Sequence, residues 1–425
     1  MKHFCLYPFT HVATKTDGAL KLCCRSEVIA NIQDTSIDEY WNSESLRKIR
    51  RQMVAGERPE SCWACWRSED AGVRSMRQRA MAPENPTSRW NQYRSVMEFF
   101  DSKTGHLSAA PRTMELKTSN RCNLKCRMCQ PVDSSSWAKD WPHVAHLSKE
   151  YNSWAYERVT ELDLVKRPML DSFTDEEWFL QFDRLSSQLD MIEFAGGEPL
   201  IDPGHYRLLE RLQPRAQSIT LKYSTNLTHL SLKSKDILSL WSRFKKVHVY
   251  ISMDGTFGTY DYIRTGARFE NVVANIQELK RSAINLGEVA VACTVQAYNV
   301  FNVTEVADFC LANDLKFHLH FVSYPRFLSA QILPWEIKSP ILGATRIYLE
   351  KLEHAPTARH LRDFVKFLEK DRDQELMPVF LEYTRTLDRL RATRFTNSHP
   401  LAHRYFSPLF DGADPSPRSA TLAPR

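Results

Sequence analysis

The chain has no run of apolar residues approaching the ~20 needed to cross a bilayer as a helix. Its first residues, Met1-Lys2-His3-Phe4-Cys5, lack the apolar segment of a signal peptide, so a cytoplasmic location is expected and no membrane partner. Charge of one sign is not in excess. Across 425 residues, 57 Lys and Arg against 51 Asp and Glu leave a net charge of +6. The basic residues are spread along the chain, which does not favour nucleic-acid binding. In a cytosolic setting the 10 cysteines suit metal ligands or free thiols better than disulfides. Beyond residue 129 cysteine is scarce, and Cys293 and Cys310 read as buried apolar residues.

The cysteines that are present fall into two groups. Arg121-Cys122-Asn123-Leu124-Lys125-Cys126-Arg127-Met128-Cys129 places three thiols at C-x3-C-x2-C spacing, just after the alternating segment Met114 to Thr118, which reads as a strand. Three thiols in one loop can hold three irons of a cubane and leave the fourth without a protein ligand. An open coordination position is where chemistry takes place, unlike the closed shell of a structural site.

The second group lies within residues 1–80, expected to form a small unit of their own. Tyr7 to Val12 reads as extended, Asp17-Gly18 as a hairpin turn, and Ala19 to Leu22 as the return strand before Cys23-Cys24. A helix is expected from an N-cap at Asn42 or Ser43 to a stop at Gly56, with Leu46, Ile49 and Met53 on one face. Its basic residues Arg47, Lys48, Arg50 and Arg51 read as a solvated face. Cys5, Cys23, Cys62 and Cys65 make a complete four-sulfur set, suited to a structural zinc or to a second iron–sulfur cluster, and spacing does not separate these. Cys24 is a spare.

Residues 81–110 read as a linker, and residues 111–325 alternate apolar strands with helices in the manner of β/α units around a parallel sheet. Strands are expected at Thr113 to Thr118, Met191 to Ala195, Thr220 to Ser224, Val247 to Ser252, Val289 to Val295 and Phe317 to Val322. Helices are expected at Pro203 to Gln213 (capped by Asp202), Glu270 to Ala283 and Val303 to Asn313. The fold class is α/β: a partial (β/α)6 TIM-like barrel, with the small N-terminal cysteine-rich unit and a helical C-terminal region. A doubly wound open sheet is the alternative. Trp137, Trp141, Trp154 and Trp178 occupy an insertion after the cysteine loop and read as core packing. Residues 326–411 read as helical and carry no chemical motif. Residues 412–425 read as a disordered tail.

Reactive groups in parallel β/α folds collect at the C-terminal ends of strands. The first strand here ends in the cysteine loop, the second in Gly196-Gly197-Glu198-Pro199, the third in Ser224-Thr225-Asn226 and the fourth in Ser252-Met253-Asp254. Paired glycines admit a close backbone approach and Glu198 offers an anion to an ammonium group, although the same four residues also suit a plain strand-to-helix turn.

Taken together, these motifs resemble the radical S-adenosylmethionine (SAM) superfamily. Gly18-x4-Cys23 with Cys62-x2-Cys65 and the phrase Ile37 to Ser43 resemble its half-SPASM, or twitch, auxiliary-cluster domain, placed here before the barrel rather than after it. The resemblance spans roughly residues 5–70 and 112–325 of the chain. It implies a [4Fe–4S] cluster with one open iron on Cys122, Cys126 and Cys129, and a second [4Fe–4S] cluster on Cys5, Cys23, Cys62 and Cys65. It also implies SAM contacts from Gly196, Gly197, Glu198, Pro199, Ser224, Asn226, Ser252 and Asp254. The run Tyr262-Ile263-Arg264 is similar to a segment that such enzymes often carry after their fourth strand, and it adds Arg264. Met128 departs from the aromatic residue usual before the third cysteine, at a position whose contact in the family is made by backbone.

The expected activity is reductive cleavage of SAM to a 5′-deoxyadenosyl radical, with hydrogen abstraction as the next step. A flavodoxin- or ferredoxin-type protein would supply the electron. A fully ligated second cluster suits removal of an electron from the substrate radical, hence net oxidation of a peptide or protein. Dehydrogenation of a small molecule is the alternative, and a non-catalytic protein with a structural zinc is the rival from another class.

Overall fold

In the computed structural model the described residues are 3–70, 74–81, 96–322 and 324–411. Residues 82–95 of the expected linker and the whole expected tail lie outside them.

A one-turn helix at Tyr7–Thr10 leads into the first strand, β1 (His11–Thr14). This differs from the extended segment that the alternation and the proline suggest. Pro8 instead sits in the first helical turn, where its fixed φ fits and no N–H is missed. The expected turn comes next, with Gly18 at φ +82°, and then β2 (Ala19–Lys21) and β3 (Val28–Asn31). The expected helix is α1 (Glu44–Ala55), capped by Ser43, whose side chain accepts the Leu46 N–H, and closed by Gly56 at φ +78°.

The core strands are β4 (Thr113–Lys117), β5 (Met191–Ala195), β6 (Thr220–Thr225), β7 (Lys246–Ser252), β8 (Leu286–Val295) and β9 (Lys316–Phe321). The helices α2 (Pro203–Leu212), α3 (Phe269–Arg281) and α4 (Val303–Ala312) connect several of them. Asp202 caps α2 as expected, accepting the Gly204 N–H at 3.1 Å.

The nine-stranded sheet runs β9-β8-β7-β6-β5-β4-β1-β2-β3. From β4 to β9 all neighbours are parallel and spatial order matches chain order. A doubly wound sheet would reverse direction at a switch point. This one does not, so the winding is that of a partial barrel. Burial alternates along β5, β6 and β7. Ile192, Phe194, Leu221, Tyr223, Val247, Val249 and Ile251 are fully buried, while Glu193, Lys222, His248 and Tyr250 belong to the opposite, lumen-facing set.

The N-terminal residues continue this sheet rather than standing apart. β1 pairs in parallel with β4 through His11↔Thr113, Val12↔Met114 and Ala13↔Glu115. The edge of β4 opposite β5 is thereby covered, which removes an unpaired row of backbone groups.

The C-terminal region is helical as expected, with α5 (Trp335–Lys351), α6 (Ala355–Leu368), α7 (Met377–Arg391) and α8 (Pro400–Asp411). Pro340 lies inside α5. Trp137, Trp141 and Trp178 are core residues, whereas Trp154 is 49% exposed with Lys15 over its ring. Among the described residues no helix is long and apolar enough to cross a membrane.

One expectation on α1 fails. Arg50 is fully buried, donating to Pro8 O at 2.8 Å and Asn42 Oδ1 at 3.0 Å, with its guanidinium 4.5 Å from the Trp41 ring. Its partners are polar oxygens and an aromatic face, so periodicity in charge does not mark it as internal. Arg50→Ala should destabilise the chain by about 1–3 kcal/mol, since Pro8 O loses its side-chain donor, Asn42 Oδ1 loses one of its two donors and the Trp41 ring loses its partner. Urea unfolding monitored by tryptophan fluorescence reads this as a lower midpoint; an unchanged midpoint contradicts it.

Candidate active site

The cysteine loop leaves β4 through Thr118 to Asn120 and is held from several sides. Ser119 donates its hydroxyl to Asp202 at 3.0 Å, which ties the exit of β4 to the cap of α2. The Gly-Gly segment after β5 then lies directly against this exit. Gly197 N–H donates to Ser119 O at 3.0 Å and Glu198 N–H to Arg121 O at 2.7 Å. A Cβ on Gly197 would stand 2.3 Å from Arg121 O, and one on Gly196, whose φ is +117°, 2.9 Å from Ser119 O. The close approach that the glycines permit is therefore to the chain's own backbone.

Glu198 is buried, and its carboxylate accepts from Leu200 N at 3.0 Å, Thr225 Oγ1 at 2.6 Å and Asn226 N at 2.6 Å. Burial pushes its pKa up, against the pull of these donors. It thus fastens the end of β5 to the end of β6. Asn226 reaches on to the cysteine loop, donating to Asn123 Oδ1 at 3.1 Å.

A cavity of about 900 Å³ opens beneath the loop and runs along the lumen face of the sheet. Cys122, Cys126, Cys129, Met128, Gly196, Gly197, Glu198, Ser224, Asn226, Ser252 and Arg264 all line it. Two expected site residues do not. Pro199 is buried at the start of a short helical turn (Pro199–Ile201). Asp254 is also fully buried, accepting from Thr294 N at 2.7 Å and ion-paired with Arg264 at 2.7 Å. It orients Arg264 instead, whose Nη1 lies 3.7 Å from Cys126 Sγ. The Cys126 thiol is held low, first by the hydrogen bond it shares with Cys129 and then by the Arg264 charge. Burial raises Cys122 to about 12.

Further down, the lumen is charged. Lys222 pairs with Glu193 at 2.9 Å, Lys117 with Glu115 at 3.4 Å, and Glu288 with His318 at 3.0 Å. These alternate with buried apolar residues in the sequence. That alternation is the signal available for the lumen face, but it does not say which polar residues meet.

The other four thiols converge on a separate small cavity, lined by Cys5, Cys23, Cys62 and Cys65 together with Pro8, Leu22 and Met53. Burial first, and then the neighbouring thiols, push Cys5, Cys23 and Cys62 up to about 12. Cys24, the spare, faces the other way: it lines the 900 Å³ cavity, with its thiol 3.6 Å from Met76 Sδ. Residues 22–24 are thus a thin wall between the two cavities.

Sequence reasoning misses a set of residues behind the loop. Trp137 Nε1 donates to Cys126 O at 2.9 Å, Tyr383 OH to Arg127 O at 2.8 Å, and Arg391 Nη1 to Lys125 O at 2.8 Å. Tyr383 and Arg391 come from α7, more than 250 positions away in the chain, and no local motif announces them.

A family model described as the radical SAM superfamily matches residues 116–304, and one described as an iron–sulfur cluster-binding (SPASM) domain matches residues 5–66. Together these matches cover more than half of the chain. The chain belongs to the radical SAM superfamily. No curated protein matches it. Solved structures that resemble it include Streptococcus suis SuiB bound to S-adenosylmethionine, at 16% identity and TM-score 0.35, covering 64% of this chain and 51% of that one. SuiB bound to the precursor peptide SuiA is 14% identical with TM-score 0.33, covering 83% of this chain and 61% of that one. The radical SAM chain therefore spans between about half and three fifths of the length of these structures.

The cofactors of this radical SAM protein are a [4Fe–4S] cluster, SAM and an auxiliary iron–sulfur cluster. The residues present fit them: one cavity gathers three thiols beside Arg264, and the other gathers four thiols among Leu22, Met53 and Arg77. Among the described residues no three His, Cys, Asp or Glu side chains converge on a single-ion site. Thiols with raised pKa must lose protons to bind metal, so loading releases protons and strengthens as pH rises.

The glycine contact gives a direct test. Gly197→Ala forces the cysteine loop away from β5, so anaerobic reconstitution should lose about half of the irons expected for two cubanes, with circular dichroism unchanged. Full iron content in that variant contradicts the contact.

Proposed function

We propose that this radical SAM enzyme oxidises a peptide or protein segment held in the barrel lumen. The observation that carries the reading is the shared wall. Cys23 opens into the four-thiol cavity while its neighbour Cys24 opens into the lumen. An electron leaving a substrate radical in the lumen would have only this wall to cross. Four thiols in the auxiliary set favour full ligation, which suits electron removal rather than substrate coordination.

When bound, the cluster and SAM would supply the radical chemistry that removes a hydrogen atom from substrate. The chain's own residues do the rest. Cys122, Cys126 and Cys129 would bind three irons and leave the fourth to SAM. Ser224, Asn226 and Ser252 offer hydroxyl and amide groups to the ribose and the methionine carboxylate, with Gly196 and Gly197 in the same wall. Glu198 provides negative charge near the methionine ammonium, and its three hydrogen bonds fix where that charge lies. Arg264 beside Cys126 favours the reduced, more negative cluster. An external flavodoxin- or ferredoxin-type protein would deliver the electron.

The lumen favours an extended substrate. Its lining begins at Thr113, Met191 and Thr220, the first residues of β4, β5 and β6, and ends at the cysteine loop. At about 3.3 Å per residue this is the length of a short extended peptide. The charged pairs along it can hydrogen-bond to peptide groups and polar side chains.

Reconstitution tests the assignment. The full chain should hold about eight irons and form 5′-deoxyadenosine from SAM and dithionite. The combined Cys122→Ala, Cys126→Ala and Cys129→Ala variant should hold about four irons and form none. The Cys62→Ala and Cys65→Ala variant should lose the other four or so but still cleave SAM. Cleavage that survives the first replacement would sink the reading.

A further inference from the structure

The C-terminal region lies outside both matched segments, yet α7 reaches the back of the cysteine loop through Tyr383, Asp388 and Arg391. Three successive carbonyls there are each held by a side-chain donor: Lys125 O by Arg391 at 2.8 Å, Cys126 O by Trp137 at 2.9 Å and Arg127 O by Tyr383 at 2.8 Å. The intervening amides of Lys125 and Arg127 donate to Thr265 O and Ile263 O, each at 2.9 Å. The peptide groups on either side of Cys126 therefore have no freedom to rotate.

Charge is concentrated in the same place. The Arg127 side chain is fully buried and the Arg391 side chain is 1% exposed. Arg127 donates to Asp388 Oδ1 at 2.6 Å and Thr393 Oγ1 at 2.9 Å, and its guanidinium lies 3.6 Å from the centre of the Tyr262 ring. Tyr262 OH donates to the same Asp388 oxygen at 2.9 Å. Arg391 donates to Asp140 Oδ2 at 2.9 Å, and Asp140 is shared with Lys125 at 3.1 Å. Arg127 Nη1 and Arg391 Nη2 are buried without hydrogen-bond partners among the described residues. Burying two guanidiniums with donors left over costs stability that apolar side chains would not. A packing role alone does not account for that arrangement.

We propose that α7 is part of the cluster site, with Arg391, Asp388 and Tyr383 as positioning residues that fix the peptide groups around Cys126 and set the charge felt by a cluster bound there. The inference rests on the reading that the Cys122, Cys126 and Cys129 loop carries the SAM-binding cluster. Electrostatics gives it a signed consequence. Loss of the Arg391 charge makes electron acceptance harder, whereas loss of the Asp388 charge leaves Arg127 uncompensated and makes it easier.

The test uses the full chain, reconstituted anaerobically, with the midpoint potential of the SAM-responsive electron paramagnetic resonance signal as readout. Arg391→Gln should shift that potential negative and Asp388→Asn should shift it positive, with iron content equal to wild type. Formation of 5′-deoxyadenosine should fall by about 10- to 100-fold in Arg391→Gln, the usual cost of removing an outer partner of a metal site. Arg391→Lys should restore the potential. Tyr383→Phe removes one hydroxyl and no charge; it should keep the potential and slow cleavage, and it covers the case in which an arginine variant does not fold. Shifts of the same sign in Arg391→Gln and Asp388→Asn, or wild-type potential in both, overturn the proposal, as does wild-type cleavage in Tyr383→Phe. Absence of any SAM-responsive signal in the wild-type chain would instead defeat the loop assignment on which the inference depends.

Discussion

Two backbone hydrogen bonds, Gly197 to Ser119 and Glu198 to Arg121, join the ends of β4 and β5, and the arrangement above the lumen depends on them. Only residues without a Cβ let the two loops come this close. Once they have, Glu198 is pulled into a buried site where its carboxylate must find donors, and it finds them at the end of β6. Asn226 then meets Asn123 within the cysteine loop. Three successive strand ends are thus locked to one another before any cofactor binds. The desolvation of Glu198 is part of the cost of that rigidity.

The same economy of position recurs at the N-terminal edge. β1 extends the core sheet, so the four-thiol cavity is built on a strand that pairs directly with β4. The turn after β2 directs Cys23 to one cavity and Cys24 to the other. Two adjacent side chains of one turn that open into different cavities make a very short connection between the two chambers. This geometry is what makes an electron relay from lumen to auxiliary site a reasonable function for the chain.

Much of this was legible in the sequence because it is local. The cysteine spacing, the Gly-Gly-Glu-Pro segment, the Asp202 cap, and the Ser43 and Gly56 ends of α1 are each written in a few consecutive residues. The core strands were legible from apolar alternation, but the choice between a partial barrel and a doubly wound sheet needed the strand order. What was not legible depends on distance along the chain. Asp254 reads as a strand-end ligand until its ion pair with Arg264 is seen. Arg50 reads as a surface charge until Pro8 and Trp41 close over it. α7 reads as a plain helix, and only the fold brings Tyr383 and Arg391 to the cysteine loop.

The central claim is that the loop of Cys122, Cys126 and Cys129 leaves one iron open to SAM. Electron–nuclear double resonance of the reduced protein with isotope-labelled SAM tests it most directly, comparing the wild-type chain with the Cys62→Ala and Cys65→Ala variant. The account predicts hyperfine coupling from the methionine amino nitrogen and carboxylate oxygen in both proteins. No coupling in either, or coupling that disappears when Cys62 and Cys65 are replaced, would contradict it.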